Sequence, residues 1–447
     1  MPSRKDYLTD YLKRKTPRGL RDLVAPIYLS YLENSSNIAH KPENKTYEVR
    51  SEAPDHILIV VIDALRPEYA NSLPITSSTV ITPGTWTFPA VTSIHTGMYP
   101  HNHGSFAHTT PESDVYALPE QSECKRVLPT ELEKAGYSTF ASCAFLMPFL
   151  AIKGWYQTHK VYADAPAEKV LNSYKKWRNG KNKTYAYLHL GDLHEPLNPP
   201  KEFARRNNVD CSIKNIQTWD HEDNFNTKKD WQKYKENRRR LYQSSFDYVS
   251  EKLKEIIQGY SDDTLVVVTG DHGEAMWESP KVDNLFTDSR EGTGTGHGGT
   301  PLDTVARVPI GISHPRNKNL LPSGGWGSLC DIAGTIGGEV SDKIDMSDQI
   351  WQNAIPIDRS VICEASRYGT ERKAVYKDKK KIIHSNEDGI TLLARISRDE
   401  PGEEFEDDYS KEEIQDIISA LPKESEPNTR DNVNNVIKGQ LEALGYK

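Results

Sequence analysis

Thr264-Leu-Val-Val-Val-Thr-Gly-Asp-His-Gly-Glu274 runs an apolar stretch directly into an acid–imidazole pair. The uninterrupted Leu265-Val-Val-Val268 predicts a strand buried on both faces, as in a parallel sheet covered by helices. Asp271-His272-Gly273-Glu274 then falls where that strand opens into a loop. A hard carboxylate beside an imidazole suits a divalent metal. A second stretch is built the same way far upstream. Ile57-Leu-Ile-Val-Val-Ile62 ends in Asp63, and Thr87 follows within Trp86-Thr87-Phe88-Pro89. Together these predict one metal site with a hydroxyl nucleophile, assembled from distant segments.

Further short apolar strands are expected at 56–62, 137–143, 183–190 and 308–313. An amphipathic helix is expected at 239–258, with Leu241, Phe246, Val249, Leu253, Ile256 and Ile257 at helical spacing. Strands alternating with helices predict an α/β fold with a largely parallel central sheet sandwiched by helices. Ligands of such sheets sit beyond the carboxyl ends of the strands, where Asp63, Asp271 and His189-Leu-Gly-Asp192 all fall.

Outside that core, residues 1–54 are expected to form a helical arm, with short helices at 6–15 and 17–32, and a linker from Asn34-Ser-Ser-Asn37 to Pro54. The catalytic domain is expected over 55–356, with a polar insertion at 200–238 lying over the sheet edge or the site. Residues 357–447 then form a small antiparallel subdomain with strands at 360–364, 373–376 and 380–384. Its acidic stretch, 398–427, is expected to be a solvated surface, and 431–446 a closing helix.

Bulk properties narrow the function. The 447 residues are 27% charged and 36% hydrophobic, with net charge −8. The negative balance argues against a nucleic-acid surface. No apolar run approaches the roughly 20 residues of a membrane-spanning helix. The N-terminal Met1-Pro-Ser-Arg-Lys lacks a secretory apolar stretch, and the five cysteines are scattered with no Cys-x-x-Cys pair. A cytoplasmic location with reduced thiols is expected. Oligomeric state is left open.

Thr87 lies between a strand end and a helix signal. Pro89 suits an early helical position and Gly97 a helix stop, so Thr87 is placed at a helix N-terminus, where free N–H groups favour an anion. It is read as a metal-activated nucleophile; the alternative is an ordinary capping threonine. Asp63 is likewise a metal ligand or a helix cap. His194, within His194-Glu-Pro196, and His297, within Gly294-Thr-Gly-His-Gly-Gly299, are candidate catalytic residues. They could bind an oxyanion, protonate the leaving group, or hold a second metal with Asp192. His189 is read either with them or as a strand residue facing the core. Three oxygen ligands and one nitrogen, from Asp63, Thr87, Asp271 and His272, suit Mn²⁺ or Zn²⁺ better than Ca²⁺ or Mg²⁺, with one ion preferred over two.

Several ordered motifs resemble the sulfatase/alkaline phosphatase superfamily. They are Asp63-Ala-Leu-Arg66, Thr87-Phe-Pro89 through Thr96-Gly-Met-Tyr-Pro-His-Asn-His-Gly104, His194-Glu-Pro196 and Thr269-Gly-Asp-His-Gly-Glu274. The stretch 301–309 and the tail Leu441-Glu-Ala-Leu-Gly-Tyr446 add to them. The resemblance covers roughly residues 55–315 and, loosely, the C-terminal part. It implies a phospho- or sulfoester-cleaving enzyme acting on a small-molecule or glycan ester, with Asp63, Thr87, Asp271 and His272 as metal ligands. Formylglycine sulfatases carry Cys or Ser followed by x-Pro-x-Arg; this chain has Thr87-Phe-Pro-Ala-Val91. It also lacks their Gly-Lys-x-His element, reading Ser138-Thr-Phe-Ala-Ser-Cys-Ala-Phe145 after Gly136-Tyr137. Threonine there is similar to the nucleotide pyrophosphatase/phosphodiesterase branch, and a phosphoester is the expected substrate. A sulfuric ester hydrolase, a phosphoryl-type transferase and an inactive binding protein are the alternatives.

Overall fold

The computed structural model describes residues 18–105, 124, 126–290, 292–406 and 409–422. Among them, seven strands form the main sheet: β1 (His56–Ile62), β2 (Ser77–Ile81), β3 (Ser138–Cys143), β4 (Thr158–Val161), β5 (Thr184–Leu190), β6 (Thr264–Gly270) and β7 (Arg307–Ser313). Their spatial order is β2-β7-β6-β1-β5-β3-β4. The run from β6 to β4 is parallel throughout, while β7 is antiparallel to both β6 and β2. Strand β1, flanked by β5 and β6, has every residue buried, which is why its sequence is unbroken Ile, Leu and Val.

The sheet therefore matches the expected class and adds two strands, β2 and β4, which are its edges. Ser-Ser-Thr-Val-Ile and Thr-His-Lys-Val lack the apolar run of a doubly covered strand. An edge strand does not need one.

The N-terminal segment differs from expectation. One helix, α1 (Arg18–Ala39), replaces the helix expected at 17–32 and takes in Asn34-Ser-Ser-Asn37, which is not a linker. The helix expected at 6–15 lies outside the described residues. Residues Glu33 and Asn37, one helical turn apart, explain the extension. Glu33 Oε1 accepts from the Val161 N–H at 2.9 Å, and Asn37 Oδ1 from the His159 N–H at 2.8 Å. These are alternate, outward-facing donors of β4, so α1 satisfies the open edge of the sheet with side chains.

Four more helices matter here: α2 (Thr87–Thr96), α3 (Ala167–Arg178), α4 (Lys228–Tyr260) and α5 (Asp331–Val340). Helix α4 begins within the stretch expected to be an insertion, at Thr227, whose side chain accepts from the Asp230 N–H. Its first turns bury Trp231, Tyr234 and Arg238. That face is aromatic and basic rather than aliphatic, so the apolar periodicity does not show it.

A five-stranded antiparallel meander follows, β8 (Val361–Cys363), β9 (Lys373–Lys377), β10 (Lys380–Ser385), β11 (Ile390–Ile396) and β12 (Glu403–Phe405). The acidic stretch is not wholly solvated. Glu403 pairs with Lys381, a lysine whose side chain is fully buried. The closing helix expected at 431–446 lies outside the described residues.

Helix α5 carries a buried carboxylate, Glu339, that gives the fold a testable pH response. Burial alone would raise its pKa, but His314, Gln352 and Lys318 outweigh this and hold it at about 2. Lys318 Nζ lies at 3.0 Å and Gln352 Nε2 at 2.9 Å. A carboxyl with a depressed folded pKa stabilises fully above its unfolded value and loses that contribution as pH falls through the folded one. Glu339→Gln is therefore expected to lower the melting temperature most near neutral pH. The gap to wild type should narrow as pH falls from about 4.3 towards 2. A gap independent of pH would contradict this.

Candidate active site

Sheet register builds the site. Ile62 pairs with Gly270 and with Leu190, so Asp63 and Asp271 emerge side by side from adjacent parallel strands. Val61 pairs with His189, two residues before the level of Asp63. Side chains alternate along a strand, so His189 shares a face with the Asp63 and Asp271 carboxylates. One carboxylate oxygen each from Asp63 and Asp271 and one nitrogen of His189 lie within 4.8 Å of one another, and all three residues are buried. Ala64, just after Asp63, adopts φ 57°, a left-handed turn that costs a non-glycine residue about 1 kcal/mol.

Thr87 is the first residue of α2, and Trp86, not Thr87, occupies the capping position. The threonine hydroxyl instead donates to Asp63 Oδ2 at 3.2 Å and lies 3.3 Å from His272 Nε2. It is 3% exposed. Gly97 ends α2 with φ 72°. His272 Nδ1 lies 2.9 Å from the Gly273 carbonyl. A carbonyl only accepts, so Nδ1 carries the proton, and the Nε2 lone pair faces Thr87, Asp63 and Asp271.

The other histidines are held in the same manner. His194 Nδ1 donates to the Glu195 carbonyl at 2.7 Å. His297 Nδ1 lies 3.2 Å from Glu274 Oε1. The His297 ring centroid is 4.1 Å from that of His272 and 5.6 Å from that of His194. Thr87, His194, His272 and His297 are thus brought together around Asp63 and Asp271. Asp192 is not among them. Its carboxylate accepts from the Ala167 N–H at the start of α3, and burial pushes it up to about 7. Its Oδ1 is engaged at that helix start, while its Oδ2 is buried without a hydrogen-bond partner among the described residues.

His189, for which the sequence leaves open a core-facing strand position, belongs to the cluster. Its Nε2 lies 3.1 Å from Asp63 Oδ2, and the Tyr187 hydroxyl bonds its Nδ1 at 2.7 Å. Tyr185, Tyr187 and His189 alternate along β5, and that spacing was the available signal.

Electrostatics follow from burial. Burial alone would raise the Asp63 carboxyl; His194, His189 and His272 outweigh it and hold the group well below the usual range. Burial and the Asp63 charge push Asp271 well above it. Burial also lowers His272 and His297 to about 3 and raises Glu274 to about 7. The carboxylates are tied on one side only. Asp271 Oδ1 accepts from the His272 N–H at 2.9 Å and the Ala64 N–H at 3.3 Å. Asp271 Oδ2 and Asp63 Oδ1 are buried without a hydrogen-bond partner among the described residues. Two orphaned hard oxygens facing imidazole nitrogens are the donor set a divalent cation needs. Arg66 braces the site from behind, donating to the Glu274 carbonyl at 2.7 Å and to Glu278 at 2.9 Å.

A family model described as Sulfatase matches residues 68–323. No curated protein matches the chain. Among solved structures, one titled as BT4656 in complex with D-glucosamine-2-N,6-O-disulfate is 12% identical, with TM-score 0.56, covering 88% of this chain and 98% of that one. Phosphonate monoester hydrolase from Silicibacter pomeroyi is 15% identical, with TM-score 0.51, over 76% of this chain and 89% of that one. Lipoteichoic acid synthase LtaP from Listeria monocytogenes is 14% identical, with TM-score 0.51, over 93% and 98%. At such identities the likeness concerns the fold. No described helix is long and apolar enough to cross a membrane.

Proposed function

The chain belongs to the sulfatase family, and from that premise we propose that it is a metal-dependent phosphoester hydrolase with Thr87 as its nucleophile. The observation that carries this reading is the Thr87 hydroxyl, held 3.2 Å from Asp63 Oδ2 and 3.3 Å from His272 Nε2 where formylglycine sulfatases carry cysteine or serine. Asp63, Asp271, His272 and Thr87 would hold the cation, with His189 the fifth available donor. When bound, the metal supplies positive charge that lowers the hydroxyl's pKa and offsets charge on the ester oxygens.

The remaining chemistry belongs to the chain. The Thr87 hydroxyl gives up its proton to solvent water, Oγ bonds to phosphorus, and the bond from phosphorus to the alcohol oxygen breaks in line. The α2 N-terminus, with its free N–H groups, faces the non-bridging oxygens. His194 and His297 have no hydrogen-bond partner for Nε2 among the described residues. They are assigned to those oxygens and to protonation of the leaving alcohol. Water then cleaves the phosphothreonine, restoring the hydroxyl and releasing phosphate. A threonine ester of sulfate has no carbonyl-hydrate route of escape, which is why phosphorus is favoured over sulfur.

Metal analysis of the purified protein, followed by turnover of nitrophenyl phosphate, bis(nitrophenyl) phosphate and nitrophenyl sulfate, tests the proposal. Bound divalent metal and a preference for a phosphate ester on the order of 100-fold are expected. Preference for the sulfate would overturn it.

A further inference from the structure

Helix α1 buries one face and leaves the opposite one open. Leu29 and Leu32 lie in the core, and Glu33, Ser36 and Asn37 accept from backbone N–H groups of β4 and Gly154. On the other side, seven residues between Pro26 and Ala39 are exposed, and none of them is charged. That is unusual for an exposed face in a chain that is 27% charged. Ile27, Tyr31 and Ile38 are 71%, 65% and 83% exposed. At 3.6 residues per turn they fall within about 40° of one another, a single apolar stripe along the helix. They are three of the five large apolar side chains exposed among the described residues. In the sequence, Leu20 and Val24 continue the same spacing.

The charge around this stripe is mostly basic. Residues 1–21, which lead into it, carry seven Lys or Arg and two Asp, whereas the whole chain has net charge −8. Glu33 is the one acidic residue of α1 beyond Pro26, and Lys160 Nζ neutralises it at 3.0 Å. Residues 41–45, all exposed, add Lys41 and Lys45 against Glu43. The exposed Lys153 adjoins Gly154, whose N–H donates to Ser36 Oγ at 2.8 Å.

We propose that the exposed face of α1 rests on an anionic lipid bilayer, with the surrounding basic residues against the headgroups. An uncharged apolar stripe flanked by basic charge is the pattern of a helix that lies in the interface rather than crossing the bilayer. A tyrosine within the stripe suits headgroup depth. Three apolar side chains alone hold weakly, and the basic segment supplies the second attraction that stable surface binding needs. A second copy of the chain fits the face less well. The stripe offers seven exposed residues, where a stable protein interface takes about 20–30 a side. Parallel pairing of two such helices sets the basic start, Arg18 and Arg21, against itself; antiparallel pairing sets it against Lys41 and Lys45. The face belongs to the β4 edge of the sheet, and the inference is independent of the ester-cleaving reading.

The test is co-sedimentation of the full-length protein with phosphatidylcholine vesicles, with and without about 30% phosphatidylglycerol. Binding to the anionic vesicles is expected to be at least about tenfold tighter than to the neutral ones, and to weaken as salt rises from about 0.1 M to about 0.5 M. Ile27→Ser, Tyr31→Ser and Ile38→Ser made together should lower anionic-vesicle binding at least about tenfold. Lys13→Gln, Arg14→Gln and Lys15→Gln made together should do the same, and they give a second reading that leaves α1 itself unaltered. Leu285→Ser and Ile357→Ser, at the exposed large apolar positions elsewhere, should leave binding unchanged. Melting temperatures close to wild type are expected for all of these, since the side chains changed in α1 are already exposed. No preference for anionic vesicles overturns the proposal, and so does binding that survives both sets of changes. A dimer in sedimentation velocity that the serine changes split, without vesicle binding, also overturns it and assigns the face to a second copy.

Discussion

Replacing Thr87 by alanine is expected to reduce turnover by about 10⁴-fold or more, because the atom that bonds to phosphorus is removed. Folding should be nearly untouched. The lost hydroxyl makes two long contacts, 3.2 Å to Asp63 and 3.3 Å to His272. Asp63 Oδ2 keeps His189 at 3.1 Å, and His272 keeps its Nδ1 bond to the Gly273 carbonyl, losing only the long contact at Nε2. The residue is the first of a helix, a position alanine tolerates well. The net cost is about 1 kcal/mol at most. Thr87→Ser keeps an oxygen in the same place and should retain measurable turnover. Progress curves for the three proteins, with circular dichroism melts beside them, separate the outcomes. An alanine variant that still turns over substrate would remove Thr87 from the role.

Much of this site was legible because it lies at strand ends. Asp63 and Asp271 follow unbroken apolar runs, and parallel register fixes them as neighbours once both runs are strands of one sheet. What escaped has physical reasons. His189 lies inside a strand whose residues are all buried, and a buried histidine in a strand reads as core unless the face it shares with Tyr187 is noticed. The edge strands β2 and β4 carry no apolar signature because one side of each faces outward. Asn34-Ser-Ser-Asn37 has linker composition, yet Asn37 is spent on a β4 N–H and Ser36 Oγ accepts from the Gly154 N–H at 2.8 Å. Side chains that serve a distant backbone leave no local pattern. Asp192, singled out by its place in a motif, has one oxygen at a helix start and the other buried without a partner among the described residues.

Asp271→Asn should abolish metal uptake and turnover while making the metal-free protein more stable than metal-free wild type. Both effects follow from the orphaned oxygens. Without a cation, Asp63 and Asp271 are fully buried carboxyls side by side, and burial together with the Asp63 charge pushes the Asp271 pKa well up. In the unfolded chain an aspartate releases its proton near about pH 3.9. Above that value, the folded metal-free protein holds a proton that the unfolded chain has lost, so its stability falls as pH rises until Asp271 ionises. Asparagine has no proton to lose and abolishes that slope. Its carbonyl oxygen can take the place of Oδ1, accepting from His272 and Ala64, while its amide donates towards the orphaned Asp63 Oδ1. A gain of about 1 kcal/mol near neutral pH is expected. With metal the order reverses. A ligand at 100 times its dissociation constant stabilises wild type by about 2.7 kcal/mol, and the variant that cannot bind it gains nothing. Thermal melts of both proteins, with chelator and with Mn²⁺, at pH 5 and pH 8 read all of these effects. A variant that still takes up the metal, or that is less stable than chelated wild type at both pH values, would show that the two aspartates are not a cation site held open at a cost to the apoprotein.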